Sequence, residues 1–166
     1  MKSLESEFLE KIENHKGMIF KISKMYVDGK EDREDLFQEI IYQLWKSYQN
    51  FEGKSQFSTW LYRVSINTAL TFLNKEKKKT DNASLTENID VQDENSDEKE
   101  TQLEFFYKAV HELNPVEKAL IFLFLEGQSH KEIATNLGIT EVNARVKLNR
   151  TKEKLQQIIK NYGYEF

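Results

Sequence analysis

A stretch of 24 residues in the middle of the chain, DNASLTENIDVQDENSDEKETQLE at 81–104, limits what the rest can become. It carries nine acidic side chains against the single cation Lys99, has no aromatic residue and offers only scattered aliphatics. Such a segment cannot bury enough apolar area to offset the entropy of ordering it, and its like charges repel. It reads as an acidic flexible linker. The 166 residues must therefore fold as two small pieces, 1–80 and 105–166, rather than around one large core. That division changes the meaning of the net charge of −4. Residues 1–80 hold 14 basic and 12 acidic side chains and residues 105–166 hold nine and seven, so each piece is at +2 and the linker at −8. The acidic total does not count against a nucleic-acid partner.

Several function classes drop out. No apolar run reaches the 18 residues a membrane span needs, and the N-terminus MKSLESEFLEK lacks an apolar signal core, so a cytoplasmic protein is expected. There is no cysteine, hence no disulfide, thiolate metal site or cysteine nucleophile. His15, His111 and His130 are scattered without metal-ligand spacing, and no Gly-rich phosphate loop appears. Neither an enzyme nor a bound metal or cofactor is expected.

One proline, six glycines and abundant Leu, Ile, Glu and Lys point to an all-α fold. Phe8, Ile12, Ile19, Ile22 and Tyr26 recur at helical spacing, with His15 in the seam, and predict a long helix ending near Asp28-Gly29. A second helix is expected from Asp32, as N-cap, to Tyr48, with Leu36, Ile40 and Leu44 inside. After the turn Phe51-Glu52-Gly53-Lys54, Ser55 is expected to cap a third helix. Its stripe is Phe57, Leu61, Val64, Thr68 and Phe72, and it closes on Lys75, Lys77, Lys78 and Lys79. Beyond the linker, residues 102–113 read as a helix through Leu103, Phe106, Val110 and Leu113. Asn114-Pro115-Val116-Glu117 and Ser129-His130-Lys131-Glu132 read as capping boxes opening two more.

The densest motif is SHKEIATNLGITEVNARVKLNRTKEKL at 129–155. Two helices meet at a short turn, with Ala134 small at the crossing and Gly138 free to take positive φ, which is a helix-turn-helix. In the last helix, predicted over 141–160, Ala144, Leu148, Thr151, Leu155 and Ile158 form one stripe, the core face. Opposite lie Val142, Val146 and Asn149, flanked by Asn143, Arg145 and Arg150. Two valines among cations and amides suit thymine-methyl contacts in a major groove, with Arg and Asn bonding base edges or phosphates. The alternative is that both valines pack on the preceding helix.

DREDLFQEIIYQLW, then FEGKSQFSTWLYRVSINTAL, then a polar tether, then EGQSHKEIATNLGITEVNARVKLNRTKEKL, together resemble a sigma-70 factor of the extracytoplasmic-function group over about residues 8–160. The resemblance implies a promoter-specificity subunit of bacterial RNA polymerase. Residues 1–80 would be region 2, binding the clamp helices of the largest subunit and reading and melting the −10 element. Residues 105–166 would be region 4, meeting the flap and reading the −35 element. By position, Asp35, Gln38, Glu39 and Tyr42 would face the clamp helices; an ordinary solvated helix face is the plainer reading of that stripe. Phe51, Lys54, Ser55, Gln56 and Phe57 would form the pocket for a base flipped from the −10 duplex, with Arg63, Asn67 and Lys75 on the adjacent DNA. Trp60 stays open between base stacking and core. The −35 readers would be Val142, Asn143, Arg145, Val146, Asn149 and Arg150, with Lys147 at the backbone. Ala144 stands where the family commonly has valine, and Val146 where it often has a small residue, so relatives' −35 sequences do not transfer.

Core polymerase and promoter DNA are the implied partners; anti-sigma factors also bind this family, and no residue decides whether one acts here. A stand-alone helix-turn-helix regulator is the competing reading, and residues 32–78 are what it would not need.

Overall fold

A computed structural model describes residues 2–80 and 98–163, with side chains at 2–76 and 101–163. The described residues form seven α-helices and no strand: α1 (Leu4–Tyr26), α2 (Lys30–Tyr48), α3 (Phe57–Thr80), α4 (Glu98–His111), α5 (Pro115–Leu125), α6 (His130–Leu137) and α7 (Glu141–Asn161). They fall into two compact units, Met1–Glu87 and Asn88–Phe166. The linker expectation at 81–97 and the side chains of Lys77, Lys78 and Lys79 lie outside the described residues.

In the first unit each of α1, α2 and α3 packs on the other two. Their apolar stripes meet at Ile19, Ile22, Leu36, Ile40, Leu44 and Leu61, all fully buried. Ser3 opens α1 by accepting the Ser6 amide at 3.2 Å. Val27 leaves the helix in extended conformation, its N–H on the Ser23 carbonyl at 3.1 Å. The chain then turns at Gly29, whose φ of 86° suits a residue without Cβ.

Three local expectations fail here. Asp32 is not the N-cap of α2: the helix starts at Lys30 after Gly29, with no side-chain cap, and Asp32 sits in its first turn. Ser55 does not cap α3 either; the Gln56 carbonyl accepts the first helical bond, from Trp60, and Phe57 is the first helical residue. The inner face of α3 is rotated, with Leu61, Tyr62, Ser65, Ile66, Thr68 and Ala69 buried while Phe57, Val64 and Phe72 are half-buried. Two partner helices pack on α3 at once, and a wider arc is covered than a single stripe implies.

In the second unit α7 packs against α4, α5 and α6. The capping box at Asn114 forms in both directions: Asn114 Oδ1 accepts the Glu117 amide at 2.9 Å, and the Glu117 carboxylate accepts the Asn114 amide at 3.0 Å. Ser129 caps α6 through the Glu132 amide at 3.1 Å, the only half of its expected box that is seen. The first helix of this unit begins at Glu98 and ends at His111, so residues 98–104, assigned above to the linker, are helical. Glu, Lys and Gln are good helix formers, and apolar spacing continues downstream, so acidity alone does not stop the helix. Leu103 nevertheless faces solvent, and Ile159 rather than Ile158 is buried on α7.

Candidate nucleic-acid interface

The turn between α6 and α7 is built from three residues with distinct tasks. Gly138 takes the left-handed conformation at φ 68°, and its N–H and that of Ile139 both reach the Ala134 carbonyl. Thr140 then caps α7, its Oγ1 accepting the Asn143 amide at 3.1 Å. Ala134 and Ile133 are buried, as are Ala144 and Leu148 on α7, so the two helices are locked through small and branched apolar side chains. The opposite face of α7 is open. Asn143, Arg145, Lys147, Asn149 and Arg150 are exposed, Val142 is 64% exposed and Val146 40%. The valines therefore do not pack on the preceding helix. Arg145 Nη2 lies 3.7 Å from Glu141 Oε1, a loose solvated pair that leaves the guanidinium available. A rigid helix thus presents two apolar tips among three cations and two amides, the chemistry that reads base edges in a major groove.

The first unit offers a different surface. Between α2 and α3 the chain runs through Phe51 to Gln56, and its aromatics gather on the helices. Phe51 and Trp60 have ring centroids 4.9 Å apart, Phe57 and Trp60 5.4 Å, and Phe51 and Phe57 6.1 Å edge-on. Tyr48 adjoins all three. Trp60 is half-buried, neither core nor free. Such rings can stack on unpaired bases. Lys54 is exposed but paired with Glu52 at 2.9 Å, Ser55 is half-buried, and Gln56 and Arg63 are exposed.

The four residues expected on the outward face of α2 do not stay together. Asp35, Gln38 and Tyr42 are exposed, whereas Glu39 is half-buried and accepts a hydrogen bond from Gln43 Nε2 at 3.0 Å. Glu39 lines a groove of about 520 Å³ between α2 and α3 together with Asn67, Phe72 and Lys75. This brings one residue of the polymerase set beside two of the −10 set. Sequence reasoning missed α1's part in this surface: Lys11 Nζ lies 5.0 Å from the Phe57 ring centroid and the His15 ring 5.1 Å from it. No periodicity links residues some forty positions apart, so only the packed bundle reveals the pair.

Among the described residues no group of three or more His, Asp or Glu is arranged to hold a metal ion, and no helix is long and apolar enough to cross a membrane.

Residues 12–79 match the family Sigma-70 region 2 and residues 106–155 the family Sigma-70, region 4. The chain is 28% identical over 144 residues to the ECF RNA polymerase sigma-E factor of Haemophilus influenzae, covering 79% of this chain and 76% of that protein. It is 29% identical over 155 residues to the ECF RNA polymerase sigma factor SigG of Mycobacterium tuberculosis, covering 76% of this chain but only 42% of that longer protein. In fold it is similar to the sigma factor RpoE of Bartonella quintana, solved with the anti-sigma factor NepR. There the TM-score is 0.73 at 20% identity, over 93% of this chain and 97% of that one.

Proposed function

The chain belongs to the sigma-70 family, as an RNA polymerase sigma factor of the extracytoplasmic-function group, and on that premise we propose how its residues divide the work. The second unit reads the −35 element as duplex: Val142 and Val146 meet thymine methyls, Asn143, Arg145, Asn149 and Arg150 bond base edges and phosphates, and Lys147 stays at the backbone. The first unit captures the −10 element as an unpaired strand, with Phe51, Lys54, Ser55, Gln56 and Phe57 around a flipped base. Arg63, Asn67 and Lys75 follow the strand beyond the loop. Asp35, Gln38 and Tyr42 face the clamp helices of core polymerase, and Glu39 works at the edge of that face, where the groove toward Asn67 begins. The phosphodiester chemistry belongs to the polymerase, and the site of action is the cytoplasm. An anti-sigma partner, such as the Bartonella neighbour was solved with, belongs to the same reading.

The observation that carries this division is the pairing of an exposed valine-bearing helix face in one unit with an aromatic loop in the other. A stand-alone regulator needs only the first. Run-off transcription with core polymerase on genomic fragments should yield start sites preceded by two shared sequence elements. Folded protein that binds duplex DNA yet neither binds core polymerase nor supports initiation would sink the proposal.

A further inference from the structure

The loop that precedes α3 has little backbone support of its own. Its first residues are tied by two short bonds, Asn50 N–H to the Ser47 carbonyl and Phe51 N–H to the Tyr48 carbonyl, both at 3.0 Å. Phe57 is different, because α1 reaches it. Lys11 Nζ stands 5.0 Å from the Phe57 ring centroid and 5.8 Å from that of Tyr48, within the range of cation–π attraction. His15 packs against Phe57 at 5.1 Å with its ring tilted by 59°. The imidazole is itself fixed, since its Nδ1–H donates to the Lys11 carbonyl oxygen at 2.8 Å. Both side chains are half-buried. Among the described residues Lys11 has no carboxylate partner, so its charge is turned to the rings.

We propose that Lys11 and His15 are positioning residues that hold the Phe57 ring in place as the fixed wall of the loop that captures an unpaired base. This rests on the reading of that loop given above. A ring free to rotate loses conformational entropy when a base stacks on it; a ring already held by an ammonium and an imidazole does not, and the strand binds a preformed surface. The bare geometry also gives each residue a share: Lys11 bridges the Tyr48 and Phe57 rings, and His15 braces Phe57 from the same helix one turn on.

The test uses full-length protein with core polymerase and a fluorescein-labelled single strand carrying the non-template −10 sequence of a promoter mapped by transcription. Lys11→Met should weaken capture of the strand about fivefold, the scale of one cation–π contact, and Lys11→Arg should restore it. Affinity for core polymerase and for −35 duplex should be unchanged in both. In a Phe57→Leu background Lys11→Met should add no further loss. The salt dependence of strand binding should keep its slope, whereas a lysine acting directly on a phosphate would contribute about one unit of that slope. Equal capture by wild type and Lys11→Met, additive losses with Phe57→Leu, or a shallower salt slope would each overturn the positioning role. If Phe57→Leu alone leaves capture intact while polymerase binding persists, the loop itself is not the base-capturing element, and that separate failure is distinguishable from the first.

Discussion

In the second unit, α5, α6 and α7 each begin on a side-chain oxygen: Asn114, Ser129 and Thr140 accept the amide three residues on. In the first unit α1 begins so on Ser3, but α2 begins after Gly29 with no such bond, and α3 begins after a loop whose rings pack on helices from elsewhere in the chain. The contrast runs through to function. A helix whose ends are set locally can present a rigid face, and α7 does so with Val142 and Val146. A loop set by tertiary packing presents an aromatic surface whose shape depends on α1 and α2. Reading duplex DNA by its edges suits the first kind of surface, and holding an unpaired base suits the second.

Mutations should separate the two units. Leu148→Ala, at a fully buried position of α7, should destabilise the second unit by about 3 kcal/mol. Trp45 and Trp60 both lie in the first unit, so tryptophan emission follows that unit while far-UV circular dichroism follows both. A denaturation midpoint that falls by emission as much as by dichroism would mean the two units share one transition. Next, Asn114→Ala should cost about 1 kcal/mol, because it removes the side-chain arm of a capping box, while Asp32→Ala, inside the first turn of α2, should stay within about 0.5 kcal/mol. Equal losses at the two positions, read from urea midpoints, would erase the distinction drawn between local and tertiary helix starts.

Val146→Ala should alter the preference among −35 sequences by about 1 kcal/mol while leaving random-duplex affinity unchanged, a change measurable by competition binding. Identical losses on specific and random DNA would remove the valine from base reading. The smallest effect concerns acid. Burial pushes the Glu117 carboxyl upward, but the Lys154 hydrogen bond, the Asn114 amide and the Lys154 charge outweigh it and hold the group below its ordinary value of 4.5. A lowered carboxylate contributes stability that is present above pH 4.5 and is lost as pH falls through the folded value. Lys154 Nζ sits 2.8 Å from Glu117 Oε1, linking α7 to the start of α5. Lys154→Met should therefore flatten the acid limb of the second unit's stability curve, and an unchanged limb would show that the pair contributes nothing.

How much was legible beforehand follows the same division. The capping box at Asn114, the turn at Gly138 and the core face through Ala144, Leu148, Thr151 and Leu155 were readable because each depends on residues a turn or two apart. The starts of α2 and α3, the rotated inner face of α3 and the placement of Glu39 beside Asn67 were not, because each depends on which helix lies opposite. Acidity at 98–104 points to a linker, yet the residue types there are compatible with the helix that forms.

That the protein is helical, that it has two apolar pieces and which face of its last helix looks outward all follow from the order of residues. Hydrophobic period, capping chemistry and the positive φ open to glycine act over a few residues and are written in order along the chain. That Lys11 and His15 meet Phe57, that Trp60 is half-buried among other rings and that Glu39 turns toward the groove are set by the packed bundle. Those neighbours arise when three helices bury their stripes against one another, and contacts between distant residues are fixed by that packing rather than by any local period.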